Sequence, residues 1–82
     1  MIKIVTAIYD SKCEAYSAPS LFKTRGEAMR AWIEAVKDEK SPMFKHPEDY
    51  TMFEIGTYDE EKGVFNNSKA PYSYGTAHTL VN

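Results

Sequence analysis

Hydrophobic and polar positions alternate from the first residues. Ile2, Ile4, Thr6 and Ile8 fall on one side of an extended chain, and Lys3, Val5, Ala7 and Tyr9 fall on the other. That period of two predicts a β-strand with one apolar and one mixed face. Asp10-Ser11-Lys12 predicts a turn, and residues 14–23 an antiparallel second strand. Pro19 has no N–H to give to a ladder, so this strand must lie at an edge or break there. The period then changes. Ala28, Met29, Trp32, Ile33 and Val36 recur as the single apolar stripe of an amphipathic helix, with Arg25, Arg30, Glu34, Lys37 and Asp38 on the other side. Thr24, with Glu27 three residues later, has the spacing of a capping box, and the Ser41-Pro42 step predicts a stop near residues 38–40.

Residues 41–63 carry the densest aromatic run and the clearest turn. Pro42 and Pro47 fix their own φ and push Ser41 and His46 towards extended geometry, which predicts a rigid connector holding Met43 and Phe44 against the helix end. Pro47-Glu48-Asp49 suits a type I turn. Residues 50–55 are aromatic and β-branched enough for a strand. Simple alternation sends Phe53 and Ile55 towards the helix and Met52, Glu54 and Tyr58 away. Asp59-Glu60-Glu61-Lys62-Gly63 predicts a hairpin loop ending in a glycine at φ > 0. Residues 64–70 read as a short polar strand or loop, 71–75 as irregular, and 76–81 as a last strand. The order β-β-α-β-β, with room for a fifth strand, predicts an α+β fold: a small antiparallel sheet with one helix packed on one face.

A chain of 82 residues is expected to form a single domain, and 43% hydrophobic with 27% charged residues matches a globular protein rather than a disordered one. No apolar run is long enough for a membrane span, and the first residues lack the apolar segment and small-residue cleavage site of a secretory signal. Cys13 is the only cysteine, so no intrachain disulfide forms and a reducing cytoplasm is expected. The net charge of −2 changes the functional picture. Proteins that hold nucleic acid mainly through phosphates carry a basic excess. Here any such role must rest on a local basic patch plus stacking, or on a partner.

The chemistry that remains is aromatic and basic. Tyr9 and Tyr58 are expected on the sheet face away from the helix, near Lys3 and Lys12, where tyrosines can stack bases while lysines meet phosphates. Lys23 and Arg25 stand at the helix start, where free backbone N–H groups also favour an anion. The candidate nucleic-acid-binding residues are therefore Lys3, Tyr9, Lys12, Lys23, Arg25 and Tyr58. The same aromatic face equally suits a dimer interface or a second small core. His46 and His78 are far apart and lack zinc spacing, and residues 59–61 lack the alternation of a calcium loop, so no metal or other cofactor is expected. A lone cysteine beside a turn, isolated glycines and carboxylates that are mere sequence neighbours give no sign of catalysis, and no enzyme is expected.

Three stretches carry a family resemblance: IYDSKCEAY from residue 8, FKTRGEAMRAW from residue 22 and SPMFKHPEDYTMFEIGTYDEEKGVF from residue 41. Together they resemble the small non-structural protein, commonly labelled DNA-binding, of gokushovirus-type microviruses, which are bacteriophages with single-stranded DNA genomes. The resemblance runs from Ile8 to Val81; its most specific pieces are Tyr9-Asp10-Ser11-Lys12, the run from Lys45 to Tyr50, and Phe53-Glu54-Ile55-Gly56. It implies a protein of the infected host's cytoplasm, absent from the virion. There it would bind single-stranded DNA around genome replication or the switch to single-strand synthesis. A domain this small is only marginally stable alone and this one is rich in aromatic residues, so a homodimer is expected. The alternative is an interaction module that contacts a phage or host protein without touching DNA.

Overall fold

The computed structural model describes residues 1–81. In chain order it contains β1 (Ile2–Asp10), β2 (Ala15–Tyr16), β3 (Ser20–Phe22), α1 (Arg25–Lys37), α2 (Pro42–Lys45), β4 (Tyr50–Asp59) and β5 (Val64–Thr76), with 3-10 turns at Pro47–Asp49 and Ala77–Leu80. The strands form one five-stranded sheet, antiparallel throughout. β1 and β4 are central, β5 is one edge, and β2 and β3 share the other by both pairing with β1. This is the expected α+β arrangement, with α1 against one face. The second predicted strand is interrupted where Pro19 required it. Ser17 donates its N–H to the Ile8 carbonyl (2.8 Å), and the ladder resumes only at Ser20, opposite Thr6.

The helix forms for the reasons its sequence gives. Thr24 is extended and its hydroxyl accepts from the Glu27 N–H at 3.1 Å. The reciprocal arm of the box is displaced by one residue: the Glu27 carboxylate accepts from the Lys23 N–H at 3.0 Å. Ala28, Trp32 and Val36 are buried against Met52 of β4, Tyr74 of β5 and Ala77. The Trp32 indole N–H donates to the Gly75 carbonyl at 3.0 Å, so its polar end is satisfied inside the core.

The connector is more regular than expected. Pro42 does not exclude helix but begins one, since the first helical position needs no N–H. Ser41 joins the two helices: its hydroxyl donates to the Ala35 carbonyl at 2.6 Å and accepts from the Phe44 N–H at 3.2 Å. Met43 packs on the core, as expected, whereas Phe44 stays exposed.

Two expectations are corrected. In β4, Met52 and Glu54 face the helix, paired with Ile8 and Thr6, and Phe53 faces away, paired with Ala7. Met52 and Phe53 are both apolar, so alternation alone does not set the phase. It is set by the partners that Glu54 finds on the helix side, Arg25 and Tyr74. A bulge then shifts the register: Thr6 faces Glu54 but Val5 faces Gly56, with Ile55 as the additional residue. The shift returns Tyr58 to the side of Lys3, where it was expected. The second correction concerns the C-terminal run. Residues 64–76 form one long edge strand, and Ala77–Leu80 is a turn rather than a last strand. β5 tolerates Pro71 because its register jumps from Tyr72 opposite Glu54 to Asn67 opposite Gly56, leaving residues 68–71 outside the ladder.

Candidate nucleic-acid interface

The sheet face away from α1 carries two aromatic groups. At one end Tyr9 pairs with Tyr16 across β1 and β2, their ring centroids 4.9 Å apart, and Tyr16 meets Phe53 edge-on at 6.2 Å. At the other end Tyr58 pairs with Phe65 across the β4–β5 hairpin, at 4.6 Å. The hairpin sets that pair. Gly63 adopts φ 67° and donates to the Asp59 carbonyl (2.8 Å), while the Asp59 carboxylate accepts from the Glu61 and Lys62 N–H groups. Tyr58 also stands opposite Lys3 on β1. Lys3 and Tyr9 are six residues apart on one strand, so the two groups lie about 20 Å apart at about 3.3 Å per residue. Val5 and Ala7 are buried between them. Tyr16 and Phe65 are 53% and 59% exposed, large fractions for aromatic rings on a sheet, and Leu21 adds an exposed aliphatic group from β3.

The structure thus brings Lys3, Tyr9 and Tyr58 onto one face. Lys12 lies in the exposed β1–β2 turn beside the Tyr9 end; its N–H is held by the Asp10 carboxylate at 2.9 Å. Lys23 is exposed just after β3, at the cap of α1. Lys3 reaches Glu60 at 3.8 Å, which partly neutralises it. Arg25 departs from the expected role. Its Nε and Nη2 donate to the two Glu54 carboxylate oxygens at 2.8 and 3.2 Å, and its guanidinium lies 4.1 Å from the centre of the Tyr72 ring. That places it on the helix side of the sheet, apart from Tyr9 and Tyr58, with its charge held by a buried acid.

The Arg25–Glu54 pair is the electrostatic centre of the helix side. Arg25 holds the Glu54 carboxyl below the usual carboxylate range, against the opposing effect of burial and with help from the Tyr74 hydroxyl, which donates at 3.0 Å. Burial and then Glu54 push the Tyr74 phenol well above its ordinary value. Asp10 pushes the exposed Cys13 thiol up, which disfavours the thiolate a nucleophile needs. His46, Glu48 and Asp49 each bring one ligand atom within 4.8 Å of the others, on the exposed 3-10 turn. Surface groupings of this kind are common without an ion.

Tyr16, Phe53 and Phe65 complete the face and were not anticipated there. The hairpin loop held the signal for Phe65: closing residues 59–63 sets Tyr58 against residue 65. Phe53 was hidden by the phase of β4.

A model of the Phage ORF5 protein family matches residues 3–80. No curated protein and no solved structure matches the chain. The match spans both aromatic groups, the helix and all of the sheet but Ile2, and on it the chain belongs to the Phage ORF5 protein family.

Proposed function

We propose that this phage protein is a non-structural protein of the gokushovirus type that binds single-stranded DNA in the cytoplasm of the infected bacterium, during replication of the viral genome. The observation that carries the reading is the uncovered sheet face with aromatic groups at both ends and Lys3 beside one of them. Bases stack on such rings with about 1–3 kcal/mol each, without needing a strongly basic surface. That suits a chain of net charge −2. Duplex DNA hides its base faces, so single strands are the preferred ligand. The role asks for positioning rather than chemistry, and no catalytic step is assigned. Fluorescence anisotropy with labelled single-stranded and duplex oligonucleotides tests it. Micromolar binding of the single strand, weakened by Tyr16→Ala and by Phe65→Ala, is expected; no single-strand binding at tens of micromolar would sink the reading.

A second reading is favoured by one feature of the same face. Leu21 adds an exposed aliphatic contact that bases do not require, and Glu60 shields Lys3. Both fit a protein surface better than a phosphate chain. In that reading the face docks a second copy, giving a homodimer, or a phage or host protein. Light scattering separates the two. A dimer that Phe65→Asp converts to monomer, in a protein that ignores oligonucleotides, supports protein docking.

A further inference from the structure

Between the two aromatic groups the open face is not flat. A pocket of about 150 Å³ opens there. Val5, Pro19 and Ile55 give it an apolar lining, Phe65 supplies an aromatic wall, and Thr57, Asn66 and Asn67 add polar residues, of which Asn67 shares the face of Val5 and Phe65. The β4 bulge and Gly56 shape it. Gly56 is opposite both Val5 and Asn67 in the ladder, so all three meet at one level of the sheet. A Cβ on Gly56 would overlap the Asn66 carbonyl oxygen and crowd the Asn67 backbone, so only glycine lets β5 close this tightly. Asn67 is exposed, and its carboxamide offers one acceptor and two donors.

We infer that this pocket takes one unstacked nucleobase of the bound strand and that Asn67 reads its edge, with adenine the preferred base. The inference rests on the single-strand reading above and adds sequence preference to it. The chemistry argues for a base over other occupants. A flat ring fits against Phe65 over an apolar floor, and recognition of single strands commonly pairs an aromatic stack with hydrogen bonds to exposed base edges. A carboxamide matches adenine in particular, donating to N7 and accepting from the N6 amino group at once. A purely aliphatic side chain from a partner protein would leave the Asn67 amide unused.

The experiment uses the whole chain and two labelled strands: a short all-thymidine oligonucleotide and the same strand with a single central adenine. Anisotropy titrations at one salt concentration compare them. The adenine strand is expected to bind about fivefold tighter or more, the low end of what a bidentate contact contributes. Asn67→Ala, an exposed position, is expected to bring the two strands to equal affinity, the loss falling mainly on the adenine strand. Tyr16→Ala, at the far aromatic group, is expected to weaken both strands alike and keep their ratio. Equal wild-type affinities, a preference that survives Asn67→Ala, or tighter binding of the all-thymidine strand would each overturn the inference while leaving single-strand binding intact. Failure to bind either strand would overturn both the inference and the reading beneath it.

Discussion

Glu54 is a mostly buried carboxylate at the centre of the sheet, and the surrounding residues explain why it is tolerated. Arg25 gives it a two-pronged contact, the Tyr74 hydroxyl adds a third, and Tyr72 lies under the guanidinium. Its carboxyl is held below its ordinary value, first by Arg25. The consequence for stability has a definite sign. A carboxyl with a folded pKa below its unfolded value stabilises the fold above the unfolded value, near 4.5, and loses that contribution as pH falls through the folded one. Glu54→Gln is therefore expected to cost about 1–3 kcal/mol at neutral pH, since it weakens a charged contact and leaves its donors poorly matched. The variant should also lose less stability than wild type between pH 5 and the acid limit, on the order of a flatter urea-midpoint curve. Parallel curves for the two proteins would show that Glu54 is not what links acid to unfolding. Trp32 tests the other half of the helix side. It is almost wholly buried and its indole N–H is bonded to Gly75. Trp32→Ala is expected to cost about 3–5 kcal/mol, and a denaturant midpoint that hardly moves would mean that α1 does not anchor the core as described.

At the level of elements, the connector between α1 and β4 is fixed by its backbone. His46 donates to the Pro42 carbonyl, Asp49 to that of His46, and Ser11 in the distant β1–β2 turn donates to that of Asp49. Hydrogen exchange should show protection at His46, Asp49 and Ser11 well above that of an unfolded peptide; exchange at the unfolded rate across residues 44–50 would contradict a rigid connector. The elements also show what a sequence can reveal. The cap and stripe of α1 were legible because both are local, and the break at Pro19 followed from one missing N–H. The phase of β4 was not legible, because Met52 and Phe53 are adjacent and both apolar, and because the bulge at Ile55 depends on pairing with β1. β5 looked like loop because an edge strand needs few apolar residues. In the candidate site, Lys3 and Tyr9 were legible from β1's alternation, whereas Tyr58 reaches its expected face only because the β4 bulge offsets the misjudged phase of that strand. Arg25 was not legible, since its position beside the cap suggested an anion site while its partner lies 29 residues away.

For the molecule as a whole, one sheet face is covered by α1 and the other carries exposed aromatic rings at both ends, and the charges must be considered together. Net charge is −2, so under the proposed single-strand reading long-range attraction does not gather DNA, and affinity must come from a few contacts made at short range. The salt dependence of binding counts them. Arg25 is held by Glu54 on the helix side and drops out. Lys3, Lys12 and Lys23 remain of the cations expected to meet phosphate. Three phosphate contacts to a single strand give a slope of log affinity against log salt near −2.1, from about −0.7 per contact. Replacing Lys12 or Lys23 with alanine should flatten that slope by about 0.7. Arg25→Gln should leave the slope unchanged and instead lower the unfolding midpoint, because its charge serves Glu54. Tyr16→Ala and Phe65→Ala should lower affinity at every salt concentration with the slope intact, since stacking releases no counterions. Anisotropy titrations across a salt series measure all of these together. If Arg25→Gln flattens the slope as much as a lysine replacement does, Arg25 exchanges Glu54 for phosphate on binding, and the strand runs over the α1 side of the sheet rather than across the open aromatic face.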